Sequence, residues 1–170
     1  MKKDFERWIA TLLLLPIIIF LIINGGKFIF IDYINLLIHE GGHGIFKIFG
    51  KFLHALGGTV VQIFIPAMFV FYYLKEEKIF LAQIFLVWLG ENFLNISVYA
   101  ADAKSQKLPL LGGKKAFHDW NYILKELGIL NYDFIAGKIF YFFGILIFIA
   151  AILLPLYKKG YNKTNIDLKL

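Results

Sequence analysis

The chain contains no cysteine, which removes a disulfide framework, a thiolate metal cage and a thiol nucleophile together. Any metal must therefore be held by His, Asp or Glu. Charge is also scarce: 18% of the 170 residues are charged, 59% are apolar, and the mean hydropathy is +0.70. So few charges leave apolar surface exposed once a small core has been filled, which excludes a soluble globule. The net charge of +6 has no basic run longer than two residues behind it and sits among 19 Phe, which excludes a nucleic-acid groove. A bilayer with anionic headgroups accounts for the surplus instead. Internal repeats, low-complexity tracts and linkers are absent, so residues 1–170 read as a single membrane-embedded domain.

A helix that crosses hydrocarbon needs about 20 apolar residues, and several runs approach that length. The first, 8–24, follows a charged start; no small-x-small cleavage site comes after it, so it reads as a retained anchor helix. The second, 28–49, carries Asp32, Asn35, His39, Glu40, His43 and Lys47 among its apolar residues. Gly50 and Gly57-Gly58 are expected to bracket a short break containing a solvated or interfacial His54. Uncharged sequence then resumes at Thr59, interrupted by Gln62 and by Pro66, which should kink the helix. The fourth run, 79–101, has Glu91 as its one charged residue. Residues 103–133 read as a loop, marked by Pro109, Gly112-Gly113 and Lys114-Lys115, plus a short amphipathic helix over 119–127 lying at the interface. Residues 134–157 form a last membrane helix. The expected fold is all-α: a polytopic bundle of about five membrane-embedded helices and one short interfacial helix, multi-pass in the cell membrane.

Residues 39–43 read His-Glu-Gly-Gly-His, an H-E-x-x-H pattern. On a helix His39 and His43 stand at i and i+4 on one face, where both imidazoles can reach one zinc and Glu40 can contact activated water. With 4 His and 6 Glu in the chain, about 0.003 matches are expected by chance. Titratable side chains at mid-membrane cost about 2.5–3.5 kcal/mol each on insertion scales, so three together must face protein, water or a metal. Zinc on two imidazoles and a carboxylate, with one open position, brings water toward a pKa of about 7 and polarises a carbonyl. Glu40 would serve as the general base and pass the proton to a leaving amine. Structural hydrogen bonding between helices is the plainer account of the two histidines. Gly41 and Gly42 suit either close approach of another backbone or small-residue helix packing.

The third ligand has three candidates. On the fourth helix Glu91, Asp102, Asn95, Trp88, Tyr99 and Asn92 fall within one arc of about 100°, which gives that helix a single polar face. Glu91 and Asp102 are the carboxylates of that arc, while Asn92 and Asn95 could hold an extended peptide. His118 is the third candidate, with Asp119 behind it as outer support or helix N-cap. Depth in the membrane, counted from the start of each helix, favours Glu91.

His39, Glu40, His43, Asn95 and Asp102, in that order along membrane helices, resemble the site-2 protease group of intramembrane zinc metallopeptidases. The resemblance covers about residues 32–113. It implies a catalytic core within 28–102, zinc as cofactor on His39, His43 and a downstream aspartate, Glu40 as base, and Asn95 as the substrate-orienting amide, to which the polar arc adds Asn92. It moves Asp102 ahead of His118, with Glu91 third. The family's Leu-Asp-Gly segment has a counterpart in Pro109-Leu110-Leu111-Gly112-Gly113, but Leu111 stands where the aspartate belongs. The resemblance implies hydrolysis of a peptide or membrane-protein substrate in or near the bilayer. Two further functions fit the residues: a non-proteolytic membrane protein that binds or transports metal through the same site, and a structural subunit that binds none.

Overall fold

The computed structural model describes residues 2–109 and 117–157. Among these, every regular element is helical. They are α1 (Lys2–Asn24), α2 (Asp32–Phe46), α3 (Lys51–Lys75), α4 (Ile79–Ala101), α5 (Asp119–Glu126) and α6 (Asp133–Tyr157), with 3-10 turns at Lys47–Phe49 and Leu130–Tyr132. The all-α expectation holds.

Among the described residues three stretches are long and apolar enough to cross a membrane: Lys51–Lys75, Ile79–Ala101 and Leu130–Leu156. The apolar part of α1, Trp8–Asn24, is shorter. At 15 residues, α2 rises about 22 Å, too little to cross about 30 Å of hydrocarbon alone. The expected run over 28–49 is cut at both ends: it starts only at Asp32, and Gly50, at φ +90°, separates the 3-10 turn from α3. Large exposed apolar side chains cover the outer faces, including Leu13, Phe20, Phe71, Phe142 and Leu153, as suits a surface solvated by lipid.

α4 is the central helix, packed against α1, α3 and α6. One apolar cluster joins Leu14, Ile18 and Leu21 of α1 to Leu86 and Leu94 of α4 and Phe148 of α6. The α1 residues recur at i, i+4 and i+7, the spacing of one helix face. A polar clasp crosses the same three helices: Gln83 Nε2 donates to Thr11 Oγ1 and to the Ala151 carbonyl, each at 2.9 Å. A second cluster joins Ala55, Ile96, Ala100, Trp120, Ile123 and Leu124 and seats α5 on α3 and α4. Trp120, Ile123 and Leu124 supply the apolar side of the expected amphipathic helix, and it is buried against the bundle.

Gly57 and Gly58 do not break the chain, as expected from sequence, but lie inside α3, which also runs through Pro66. Their use is steric. A Cβ on Gly42 would collide with the Gly57 carbonyl oxygen and lie 2.9 Å from Gly58 Cα, so α2 and α3 cross with backbones in contact. Gly41 meets nothing within 4 Å and faces open space. Of the two glycines, Gly42 thus serves helix packing.

Candidate metal centre

The α2–α3 crossing sets the two motif histidines against fixed partners. His43 Nδ1 lies 2.8 Å from the His54 carbonyl, and His54 Nδ1 lies 2.9 Å from the His43 carbonyl. A carbonyl only accepts, so each Nδ1 carries the proton, and His43 is left with Nε2 as its free atom. His54, expected to be solvated or interfacial within a break, belongs to the first turn of α3 and is half-buried. His39 is buried, its Nδ1 3.0 Å from Gln62 Oε1. Gly58 makes room for that ring, since a Cβ there would lie 2.5 Å from His39 Nε2.

Both Nε2 atoms point at one carboxylate. Asp119 Oδ2 stands 3.3 Å from His39 Nε2 and 3.3 Å from His43 Nε2. The three residues offer ligand atoms within 4.8 Å of one another and could hold a metal ion. With bonds of about 2.0–2.1 Å, the edge of a tetrahedral site is about 3.3 Å, the separation found on both His–Asp edges. The donor set, two imidazoles and a carboxylate, is also a chemically apt one.

Asp119 is delivered by the start of α5. His118 is the N-cap, its Nδ1 accepting from Asn121 N at 3.2 Å, so the capping role considered for Asp119 falls to His118. Asp119, at the first helical position, turns toward α2. Tyr99 of α4 fixes its orientation: the phenol donates to Asp119 Oδ2 at 3.0 Å and accepts from Asp119 N at 3.1 Å. Burial opposes ionisation of Asp119, and protonated His39 and His43 rings outweigh burial and hold its carboxyl well below the usual range.

The other ligand candidates are employed elsewhere. Asp102 caps the end of α4 and anchors the following loop, accepting from Ser105 Oγ, from Lys107 N at 2.9 Å and from Leu108 N at 2.9 Å. Burial works against its charge, and these bonds outweigh burial and depress its pKa. The expected third ligand is therefore not brought to the histidines; the same carboxylate anchors the turn over residues 105–108. His118 Nε2 lies 3.7 Å from Asp102 Oδ2, and burial lowers the pKa of its imidazole. Glu91 is buried beside Asp32, where Asn35 Nδ2 bridges to Glu91 Oε2 at 2.7 Å and to Asp32 Oδ1 at 3.1 Å.

The two asparagines lie within the bundle. Asn92 is fully buried and donates to the Trp88 carbonyl in its own helix. Asn95 donates to Asp32 Oδ1 at 2.8 Å and accepts from Gln62 Nε2 at 3.3 Å. Glu40 is exposed on α2, as is Gly41 beside it. The Pro109–Gly113 segment compared with the family falls, from Leu110 onward, outside the described residues, as do Lys114 and Lys115.

No protein-family model, curated protein or solved structure matches the chain. The functional reading therefore rests on geometry. Three participants carried weaker signals in the sequence. Gln62 is an amide in an otherwise apolar run, Tyr99 lies on the polar arc of α4, and Asp119 follows a histidine at a helix start.

Proposed function

We propose that the protein is an integral-membrane zinc metallopeptidase that hydrolyses peptide bonds in or near the bilayer, with several of its helices crossing the membrane. The observation that carries the reading is the convergence of Asp119 Oδ2, His39 Nε2 and His43 Nε2. A buried carboxylate between two imidazole nitrogens is stabilised by a cation held among them. With His43 Nδ1 bonded to a carbonyl, that ring turns a lone pair to the shared centre.

His39, His43 and Asp119 would hold the ion. Once bound, zinc supplies Lewis acidity to a substrate carbonyl and to water. Glu40, next to His39 in sequence and exposed, accepts the proton lost by water at a carboxylate oxygen and returns it to the departing amine. Gly41, which bears no side chain and faces open space, leaves room beside Glu40 for an extended peptide backbone. The resemblance to site-2 proteases supports the same assignment for His39, Glu40 and His43, with Asp119 in place of Asp102 as the aspartate ligand.

The test is Glu40→Gln in detergent-purified protein: metal content should match the parent while hydrolysis of a membrane-peptide substrate disappears. Turnover retained by Glu40→Gln would exclude Glu40 as the base. A second reading, metal transport, is favoured by one observation: the buried acid Asp32, joined to Glu91 by Asn35, is linked to His39 through Asn95 and Gln62. Transport predicts zinc flux in proteoliposomes and metal that dialyses away; a peptidase predicts neither.

A further inference from the structure

Beyond the metal ligands, a row of buried polar side chains runs from α2 through α4 to α3 and back to His39. Asp32, Asn35, Gln62 and His39 are each at least nine-tenths buried. Such groups must find partners within the protein, so their orientations are coupled. Two ends of the row have a fixed hydrogen-bonding sense. Trp88 Nε1 can only donate, and it donates to Asn35 Oδ1 at 2.8 Å, which turns the Asn35 amino group toward Asp32 and Glu91. Asp32 Oδ2 accepts from Ile29 N at 2.6 Å, while Oδ1 accepts from Asn35 and from Asn95.

The sense then propagates. Because Asn95 gives its amino group to Asp32, it offers its carbonyl oxygen to Gln62. Gln62 must therefore present Nε2 to Asn95 and Oε1 to His39, whose Nδ1 lies 3.0 Å away. Flipping Asn95 would set two acceptors face to face at Asp32 and two donors face to face at Gln62, and flipping Gln62 would set its Oε1 against Asn95 Oδ1.

We propose that Asp32, Asn95 and Gln62 form a one-way relay that fixes the protonation site of His39 at Nδ1 and so turns a lone pair on Nε2 toward the metal centre. Gln62 is the terminal positioning residue of this relay. A hydrogen bond at one imidazole nitrogen determines which nitrogen binds metal, and loss of such a partner typically weakens binding by about 10–100-fold. The relay gives His39 the control that the His54 carbonyl gives His43. It deepens the metal-site reading and rests on it.

The experiment compares full-length parent, Gln62→Met and Gln62→Glu in detergent. Met keeps the length and volume of the side chain but removes the acceptor; Glu keeps an acceptor for His39 while losing the donor to Asn95 and adding a carboxylate. Histidine ¹⁵N shifts of the metal-free protein at alkaline pH, with His39 assigned through His39→Ala, report the protonated nitrogen directly. Zn2+ titration against a chelator reports affinity. The relay predicts Nδ1–H at His39 in the parent, a shift to Nε2–H with about 10–100-fold weaker Zn2+ binding in Gln62→Met, and retained Nδ1–H in Gln62→Glu. An Nε2–H parent, or a Gln62→Met variant with parental shifts and affinity, would overturn it. Absence of Zn2+ binding by the parent would refute the metal reading, while the ¹⁵N shifts would still decide for or against the relay.

Discussion

Replacing Gly41 and Gly42 by alanine, one at a time, separates two effects that the sequence cannot distinguish. Both substitutions bring the same gain in helix propensity, up to about 1 kcal/mol, so the difference between the variants reports tertiary contact alone. At Gly41 the new methyl meets nothing within 4 Å. At Gly42 it overlaps the Gly57 carbonyl oxygen and lies 2.9 Å from both Gly57 C and Gly58 Cα, all backbone atoms that no rotamer change can move. Relief requires α2 to withdraw from α3 by about 1 Å, and overpacking of that kind costs about 1–3 kcal/mol. The same withdrawal stretches the 2.8 Å contact between His43 Nδ1 and the His54 carbonyl beyond hydrogen-bond range. Gly42→Ala should therefore be about 1–3 kcal/mol less stable than Gly41→Ala in a mixed-micelle unfolding titration and should also bind Zn2+ more weakly. Gly58→Ala provides the internal contrast. Its methyl would press on His39 Nε2 at 2.5 Å rather than on backbone, so metal affinity should fall more than stability. If Gly41→Ala and Gly42→Ala unfold within about 0.5 kcal/mol of each other and bind Zn2+ alike, the reasoning from the helix crossing is refuted.

Asp102→Asn should lower stability by about 1–3 kcal/mol through its weakened loop bonds, yet leave Zn2+ affinity nearly unchanged. Since the folded pKa of Asp102 is depressed, its contribution is complete above the unfolded value of about 3.9 and is lost as pH falls through the folded value. The deficit of Asp102→Asn, measured by unfolding at several pH values, should accordingly shrink below about pH 4; a deficit that grows on acidification would contradict the assignment. Tyr99→Phe removes the phenol that both donates to Asp119 and accepts from its backbone. It should weaken Zn2+ binding by about 10–100-fold in chelator competition, and unchanged affinity would deny Tyr99 its orienting role.

The sequence made the helices readable because their apolar runs are long and their polar breaks abrupt, and α5 appears within one residue of its expected end. It made the pairing of His39 and His43 readable because i, i+4 spacing needs no tertiary information. The carboxylate that meets them was less accessible. Asp119 is 76 residues beyond His43 in the chain, and its arrival depends on the tertiary packing that seats α5 on α3 and α4. Asp102 looked like a ligand because it shares the polar arc of α4, but the arc continues past the last helical residue, where a carboxylate can serve as a loop anchor. Gly57-Gly58 suggested a break because glycine disfavours helices in isolation; close contact with Gly42 overrides that preference. The length of α2 was overestimated for a related reason. Lys47–Phe49 retain the apolar pattern while Gly50 turns the chain.

The central claim is that His39, His43 and Asp119 hold one metal ion. Metal analysis of exhaustively dialysed, detergent-purified protein tests it most directly, with the parent beside His39→Ala, Asp119→Asn and Asp102→Asn. The account predicts about one equivalent of zinc in the parent and in Asp102→Asn, and little in the other two. A parent without metal, or zinc that survives Asp119→Asn but leaves with Asp102→Asn, would contradict it.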